Sequence, residues 1–144
     1  MPLASLLCLV IAVNDGDTLT VRCAAPDDRQ PVRVRIAAID APEWQQAFGQ
    51  QARQHLAQIC FRQQATLRPV DQDSYGRTVA DVRCGDTDAA SAQVRAGLAW
   101  VYRPYARAHP HLPPLERQAQ EQGLGLWSQK QPQAPWNYRH QHHR

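Results

Sequence analysis

Residues Val13–Val21 read VNDGDTLTV, and how this stretch turns decides the fold. Asp15-Gly16 sits between two apolar, β-branched runs, the pattern of a hairpin with a two-residue turn. Strands are predicted over about Leu6–Asn14 and Asp17–Ala24. Period-two alternation then puts Asp17 on the same face as Leu19 and Val21, the core face. An ionised carboxylate aimed at a core is costly unless something positive meets it. The stretch therefore predicts both a hairpin and a charged partner for Asp17.

The same turn sets Cys8 opposite Cys23 as a hydrogen-bonded pair, at a Cα spacing suited to a disulfide. Cys60 and Cys84 remain as a second pair. The four cysteines allow three connectivities, and four buried thiols are the alternative. A zinc site is disfavoured because no CxxC spacing occurs. Two bridges imply an oxidising compartment, periplasmic or secreted; four thiols imply the cytoplasm.

Downstream of the hairpin, Ala25–Gln30 is a polar turn. PVRVRIAAID, Pro31–Asp40, alternates as a third strand that Pro42 stops. Phe48, Ala52, Leu56 and Ile59 fall on one face of a helix over Phe48–Cys60. Ala65–Pro69 and Thr78–Arg83 are two further short strands, joined by the loop VDQDSYGR. Ala89–Ala99 reads as a second helix closed near Gly97, and Leu112–Gln122 as a third that stops at Gly123. Residues 129–144 form a Gln-, Pro- and His-rich tail, expected to be partly disordered beyond Trp136. Three strands, a helix, two strands and two helices suit an α+β fold: an OB-type five-stranded barrel, with residues 1–128 as one domain.

At 144 residues and 43% hydrophobic content, the chain is long and apolar enough for a real core. The net charge of +3 is unevenly spread: from Val94 onward seven Arg or Lys face two Glu, while residues 1–93 carry nine against eleven acids. That leaves room for a polyanion along the C-terminal half. Fifteen of the sixteen cations are Arg, which suits bidentate phosphate contacts; an Arg-rich background accounts for the bias equally well. The apolar run Leu3–Val13 is too short to span a bilayer and lacks a basic start, so it reads as a core strand, and no membrane partner is expected.

Alternation through Val34, Ile36 and Ala38 brings Asp40 to the core face beside Asp17, with Glu43 three residues on. Clustered carboxylates repel, and an oxygen-only donor set suits a hard ion, Ca²⁺ or Mg²⁺. Taken singly, each acid has an ordinary explanation: hairpin chemistry for Asp17, turn initiation for Asp40, a solvated place near a helix start for Glu43. The same alternation turns Arg33 and Arg35 away from Asp40, so Arg35 reaches the acids only if the strand twists or bulges. Arg77 lies in the DSYGR turn. Tyr75, Tyr102 and Tyr105, with Arg103 and Arg107, could stack bases and track a strand. Trp100 and Trp127 read as core, and His140, His142 and His143 as a solvated basic tail.

NDGDT, RIAAIDAPE, the helix beginning around FGQQA, DSYGRTVA, VRAGLAWVY and GLGLWS occur in this order. Together they resemble the staphylococcal-nuclease-like (thermonuclease) family from about Val10 to Ser128; the ordered set is specific, no single motif is. The resemblance implies a five-stranded OB barrel with three helices. It also implies a Ca²⁺-dependent phosphodiesterase that cuts DNA and RNA at the P–O5′ bond and leaves 3′-phosphates; the substrates are expected to be single-stranded or locally opened and the protein a monomer, although the sequence does not set the oligomeric state. Asp17 and Asp40 match the family's metal carboxylates. Ala41 stands where Thr is frequent and where the backbone carbonyl is what counts. Arg35, Glu43 and Arg77 match the catalytic trio, and Tyr75 and Tyr105 the tyrosines that flank the nucleotide. Arg103 falls near where a second nucleotide-contacting Tyr is often found, and Ser74 replaces a common Lys; both changes bear on substrate affinity and end-group preference. The competing function is an OB-type module that holds single-stranded nucleic acid without cutting it. Such a module would be expected to lose the carboxylates and arginines kept here.

Overall fold

The computed structural model describes residues 5–23 and 30–142. Ala24, most of the Ala25–Gln30 turn and His143 lie outside the described residues. Strands β1 (Leu6–Asp15) and β2 (Thr18–Cys23) form the expected antiparallel hairpin. Its turn is Gly16-Asp17, one residue later than the pattern suggests, with Asp15 facing Thr18. Two local causes place it there. The Asp17 N–H donates to Asp15 Oδ1 at 3.0 Å, so a side chain builds the turn. Gly16 also packs so closely that a Cβ there would lie 2.7 Å from the Cβ atoms of both Ala41 and Ala52.

Irregularities in β1 between Val10 and Ala12 and between Val13 and Asp15 absorb the displacement, so Cys8 still faces Cys23. The two are disulfide-bonded, as are Cys60 and Cys84, and no cysteine is free. The Cα separation of 4.0 Å at Cys8–Cys23 is the narrow spacing of a non-hydrogen-bonded pair, not the wider one expected. The bulges shift the ladder and change the class of pair.

β3 (Val32–Ile36) runs antiparallel to β2 and ends earlier than expected. Ala37-Ala38 is a turn with Ala38 at φ 71°, after which β4 (Ile39–Asp40) pairs with β8 (Trp100–Val101). β1 continues to β5 (Gln64–Gln72), β5 to β6 (Thr78–Cys84), and β6 runs parallel to β3. That last pairing closes a five-stranded barrel of OB type, and β7 (Thr87–Asp88) extends β6 at its far end.

Val10, Leu19, Val21, Val34, Ile36, Leu67 and Val82 fill the barrel, each contributing about 1.5–3 kcal/mol of apolar burial. Helix α1 (Gly49–Cys60) adds its buried face Ala52, Leu56 and Cys60, and α2 (Ala89–Arg95) adds Val94. The fully buried Gln93 of α2 donates to the carbonyls of Gly16 at 2.8 Å and Ala52 at 2.9 Å. This amide fastens the hairpin turn to α1. α2 is shorter than its pattern, and α4 (Leu112–Gln122) ends on Gly123 as expected.

Three helical pieces have no counterpart in the periodicity: α3 (Arg103–Ala106), a 3₁₀ turn over Gly125–Ser128, and α5 (Pro135–His142). α5 lies in the tail expected to be partly disordered. Trp100 and Trp127 pack edge to face at 4.6 Å, and Trp136 meets Trp100 at 5.5 Å. Among the described residues no helix is long and apolar enough to cross a membrane.

Candidate active site

A cleft of about 600 Å³ opens at one end of the barrel. It is lined by eight of the nine residues to which the family resemblance gives a role, Asp17, Arg35, Asp40, Ala41, Glu43, Tyr75, Arg77 and Tyr105, and by Tyr102, but not by Arg107. The ninth, Arg103, is exposed on α3 and does not line the cleft.

Local backbone places the acids. Asp17 leaves the hairpin turn with 6% of its surface exposed, and its Oδ2 accepts the Ala41 N–H at 2.7 Å while Oδ1 accepts the Thr18 hydroxyl at 3.0 Å. The left-handed Ala38 breaks the alternation after β3, so Arg35 and fully buried Asp40 meet instead of facing apart. Arg35 Nη1 donates to the carbonyls of Ile39 at 2.7 Å and Ile36 at 3.2 Å. Held there, its guanidinium lies 3.3 Å from Asp17 Oδ2 and 3.5 Å from Asp40 Oδ1. Glu43 hangs over the start of α1, where Gly49 is indispensable: a Cβ at Gly49 would lie 2.0 Å from the Glu43 carbonyl.

Sequence reasoning missed two groups in this corner. Asp15, treated only as a turn residue, also lines the cleft. Arg139 of α5 reaches back across the chain: Nη2 lies 2.6 Å from Asp40 Oδ2, and Nη1 donates to Asp40 Oδ1 at 3.2 Å and Glu43 Oε1 at 2.8 Å. The only signal for it was the apolar Ala134-Pro135-Trp136 in an otherwise polar tail.

Four carboxyl groups thus face two guanidiniums, those of Arg35 and Arg139. The imbalance shows in their protonation. Burial and the neighbouring Asp17 push Asp15 up to about 8. Burial pushes Asp40 above the ordinary carboxylate range, with the Asp17 charge adding to it, against the pull of both guanidiniums. Burial acts on Asp17 the same way, but Arg35 and the hydrogen bonds from Asp15, Ala41 and Thr18 outweigh it and hold it low. One hard divalent cation would cancel the excess, and the donors are all oxygen. As they stand, no three His, Cys, Asp or Glu side chains among the described residues are arranged to share an ion; Asp40 and Glu43 are instead joined by Arg139. The chemistry of the donor set fits Ca²⁺ or Mg²⁺.

The other wall is the turn between β5 and β6. Asp73, also missed from sequence, organises it. Its Oδ1 accepts the N–H groups of Tyr75 and Arg77, each at 2.9 Å, and its Oδ2 accepts Arg77 Nε at 2.7 Å. Arg77 lies over the ring of Tyr75, 5.5 Å from its centroid, and that ring is 83% exposed and free to meet a ligand. Tyr105 donates to Asp71 Oδ2 at 2.9 Å and packs beside Tyr102. The cleft therefore offers an acidic corner, four arginines (Arg33, Arg35, Arg77 and Arg139) and three tyrosine rings of which Tyr75 is exposed, which suits an anion that also carries a flat ring system.

A family model described as staphylococcal nuclease homologue matches residues 33–129. A protein named ParB from Escherichia coli is 41% identical, over 90% of this chain and 77% of that protein. The micrococcal nuclease of Shigella flexneri is 40% identical, over 90% of this chain and 78% of its own. An uncharacterized endonuclease of Escherichia coli O157:H7 is 38% identical, over 91% and 83% respectively. The family match spans Arg35, Asp40, Glu43 and Arg77 but ends before α5.

Proposed function

Because the chain belongs to the staphylococcal nuclease homologue family, and so to a family of nucleases, we propose that it is a Ca²⁺-dependent phosphodiesterase. Its substrates are DNA and RNA, single-stranded or locally opened, cut with low sequence specificity at P–O5′ to leave 3′-phosphates. The observation that carries this reading is the convergence of Asp17, Asp40, Glu43, Arg35 and Arg77 on one cleft beside Tyr75. The paired cysteines support work in an oxidising compartment, periplasmic or extracellular, and a monomer is the oligomeric state proposed.

Asp17, Asp40 and the Ala41 carbonyl would hold the cation. Bound there, Ca²⁺ supplies polarisation of a phosphoryl oxygen and a site for water. The chain's own groups do the rest. Arg35 and Arg77 present guanidiniums to the non-bridging oxygens, where negative charge grows as the P–O5′ bond lengthens. Glu43, one-third exposed at its side chain, orients the attacking water and accepts its proton. The departing 5′-oxygen takes a proton from solvent, with Arg77 hydrogen-bonding it. Tyr75 and Tyr105 flank the nucleotide, while Arg103, outside the cleft, would touch only a longer strand.

Incubating the pure protein with plasmid and with RNA, in Ca²⁺ and then in chelator, tests this reading. Cleavage to 3′-phosphate ends that stops with the chelator is the expected result. Binding with intact substrate under both conditions would instead identify a non-catalytic OB-type module.

A further inference from the structure

Arg139 takes up both oxygens of Asp40, one of the two carboxylates that would hold the cation, and ties them to Glu43. Its contacts at 2.6 and 3.2 Å engage both oxygens of Asp40, and a third at 2.8 Å engages Glu43. Asp40 is fully buried, so those oxygens have little other access. An oxygen that accepts a short guanidinium bond cannot give the same lone pair to an ion at about 2.3–2.6 Å.

The segment that delivers Arg139 is buried at one end and exposed at the other. Ala134 and Pro135 are buried, Gln46 Nε2 donates to the Gln133 carbonyl at 2.6 Å, and Trp136 packs on Trp100. Beyond Pro135 no residue of α5 is buried. Eight residues make too short a helix to stand alone in water. Arg139 and Glu43 are each about one-third exposed at the side chain, which leaves the pair open to solvent and to exchange.

We propose that α5 is an internal plug: Arg139 masks the Asp40 oxygens that a cation needs, and a divalent ion loads only when α5 swings away about the Ala134–Trp136 anchor. The plug exchanges one positive charge for two in a corner with an excess of acids, so the ion wins when it is abundant and Arg139 holds the acids together when it is scarce. Apparent ion affinity is then reduced by the fraction of molecules in which the plug is docked. This inference rests on the reading of Asp17 and Asp40 as the carboxylates that hold a divalent cation.

Calorimetric titration of Ca²⁺ into the full chain and into Arg139→Ala tests it, together with amide hydrogen exchange in residues 137–142 of the unaltered chain with and without Ca²⁺. The expected results are an affinity about tenfold tighter in the variant and faster exchange of α5 when Ca²⁺ is added. Equal or weaker affinity in Arg139→Ala, or α5 amides that Ca²⁺ slows or leaves alone, would overturn the plug and leave the nuclease reading standing. No Ca²⁺ binding by either chain would overturn both.

Discussion

At the acidic corner of the cleft the main charged contacts join distant parts of the chain. Asp17 is held by Ala41 and by Arg35, and Asp40 and Glu43 by Arg139 from the far end of the chain. At the Tyr75–Arg77 turn the contacts are local: the Asp73 carboxylate accepts from Tyr75 and Arg77, the Asp73 N–H donates to the Arg77 carbonyl, and all the partners lie within four residues. The corner is buried and the turn is mostly exposed. The lesson is that charges equally suited to a phosphodiester differ in what else they do: those in the corner also hold the barrel end together, whereas those in the turn do not.

The largest effect is therefore expected for Arg35→Ala. It removes the cation shared by two buried acids, which typically costs about 3–5 kcal/mol, and turnover is expected to vanish with it. Urea denaturation checks the stability loss, and an unmoved midpoint would break the contrast. Arg77→Ala comes next. Turnover is expected to fall about 10²–10³-fold, while stability shifts by no more than about 1 kcal/mol, the range of exposed ion pairs. A loss of stability as large as that of Arg35→Ala would show the turn to be structural after all.

Asp73→Asn tests the turn's organiser and is expected to lower turnover about tenfold by misplacing Arg77. Burial slightly favours protonation of Asp73, but the N–H donors of Arg77 and Tyr75 and the guanidinium outweigh it and hold the carboxyl below its usual 3.8. Its folded-state value is depressed, so its contribution to order is complete above 3.8 and is lost as pH falls through the lower value. The acid-side loss of Arg77 order, followed by NMR of its Nε–H, is expected to disappear in the variant; an unchanged titration would assign that loss to another group. The smallest effect is expected for Tyr105→Phe. It deletes one exposed hydrogen bond to Asp71, worth at most about 1 kcal/mol, and steady-state kinetics should show a change in KM of a few-fold at most with kcat preserved.

The two regions were also unequally legible. The hairpin was readable because Asp-Gly between β-branched runs has few alternatives, yet its turn was placed one residue early. An Asp15 side-chain hydrogen bond and a steric need for Gly16 set it, and neither leaves a periodic trace. The Cys8–Cys23 pairing came out right because two bulges offset that displacement. The corner was half legible. Asp17 points inward as alternation requires, but Arg35 meets Asp40 only because Ala38 takes a left-handed backbone, and alanine there carries no warning of it. The motif order, not periodicity, singled out Arg35. Arg139 was out of reach for another reason: its helix has no apolar stripe, and its contact with Asp40 spans 99 residues of chain.

A crystal structure with Ca²⁺ and a nucleoside 3′,5′-bisphosphate bears most directly on how the cleft works. The expected result is an ion within about 2.3–2.6 Å of oxygens of Asp17 and Asp40, with a phosphate gripped by Arg35 and Arg77 and Arg139 withdrawn. An ion bound away from both acids, or a phosphate that neither arginine reaches, would contradict it.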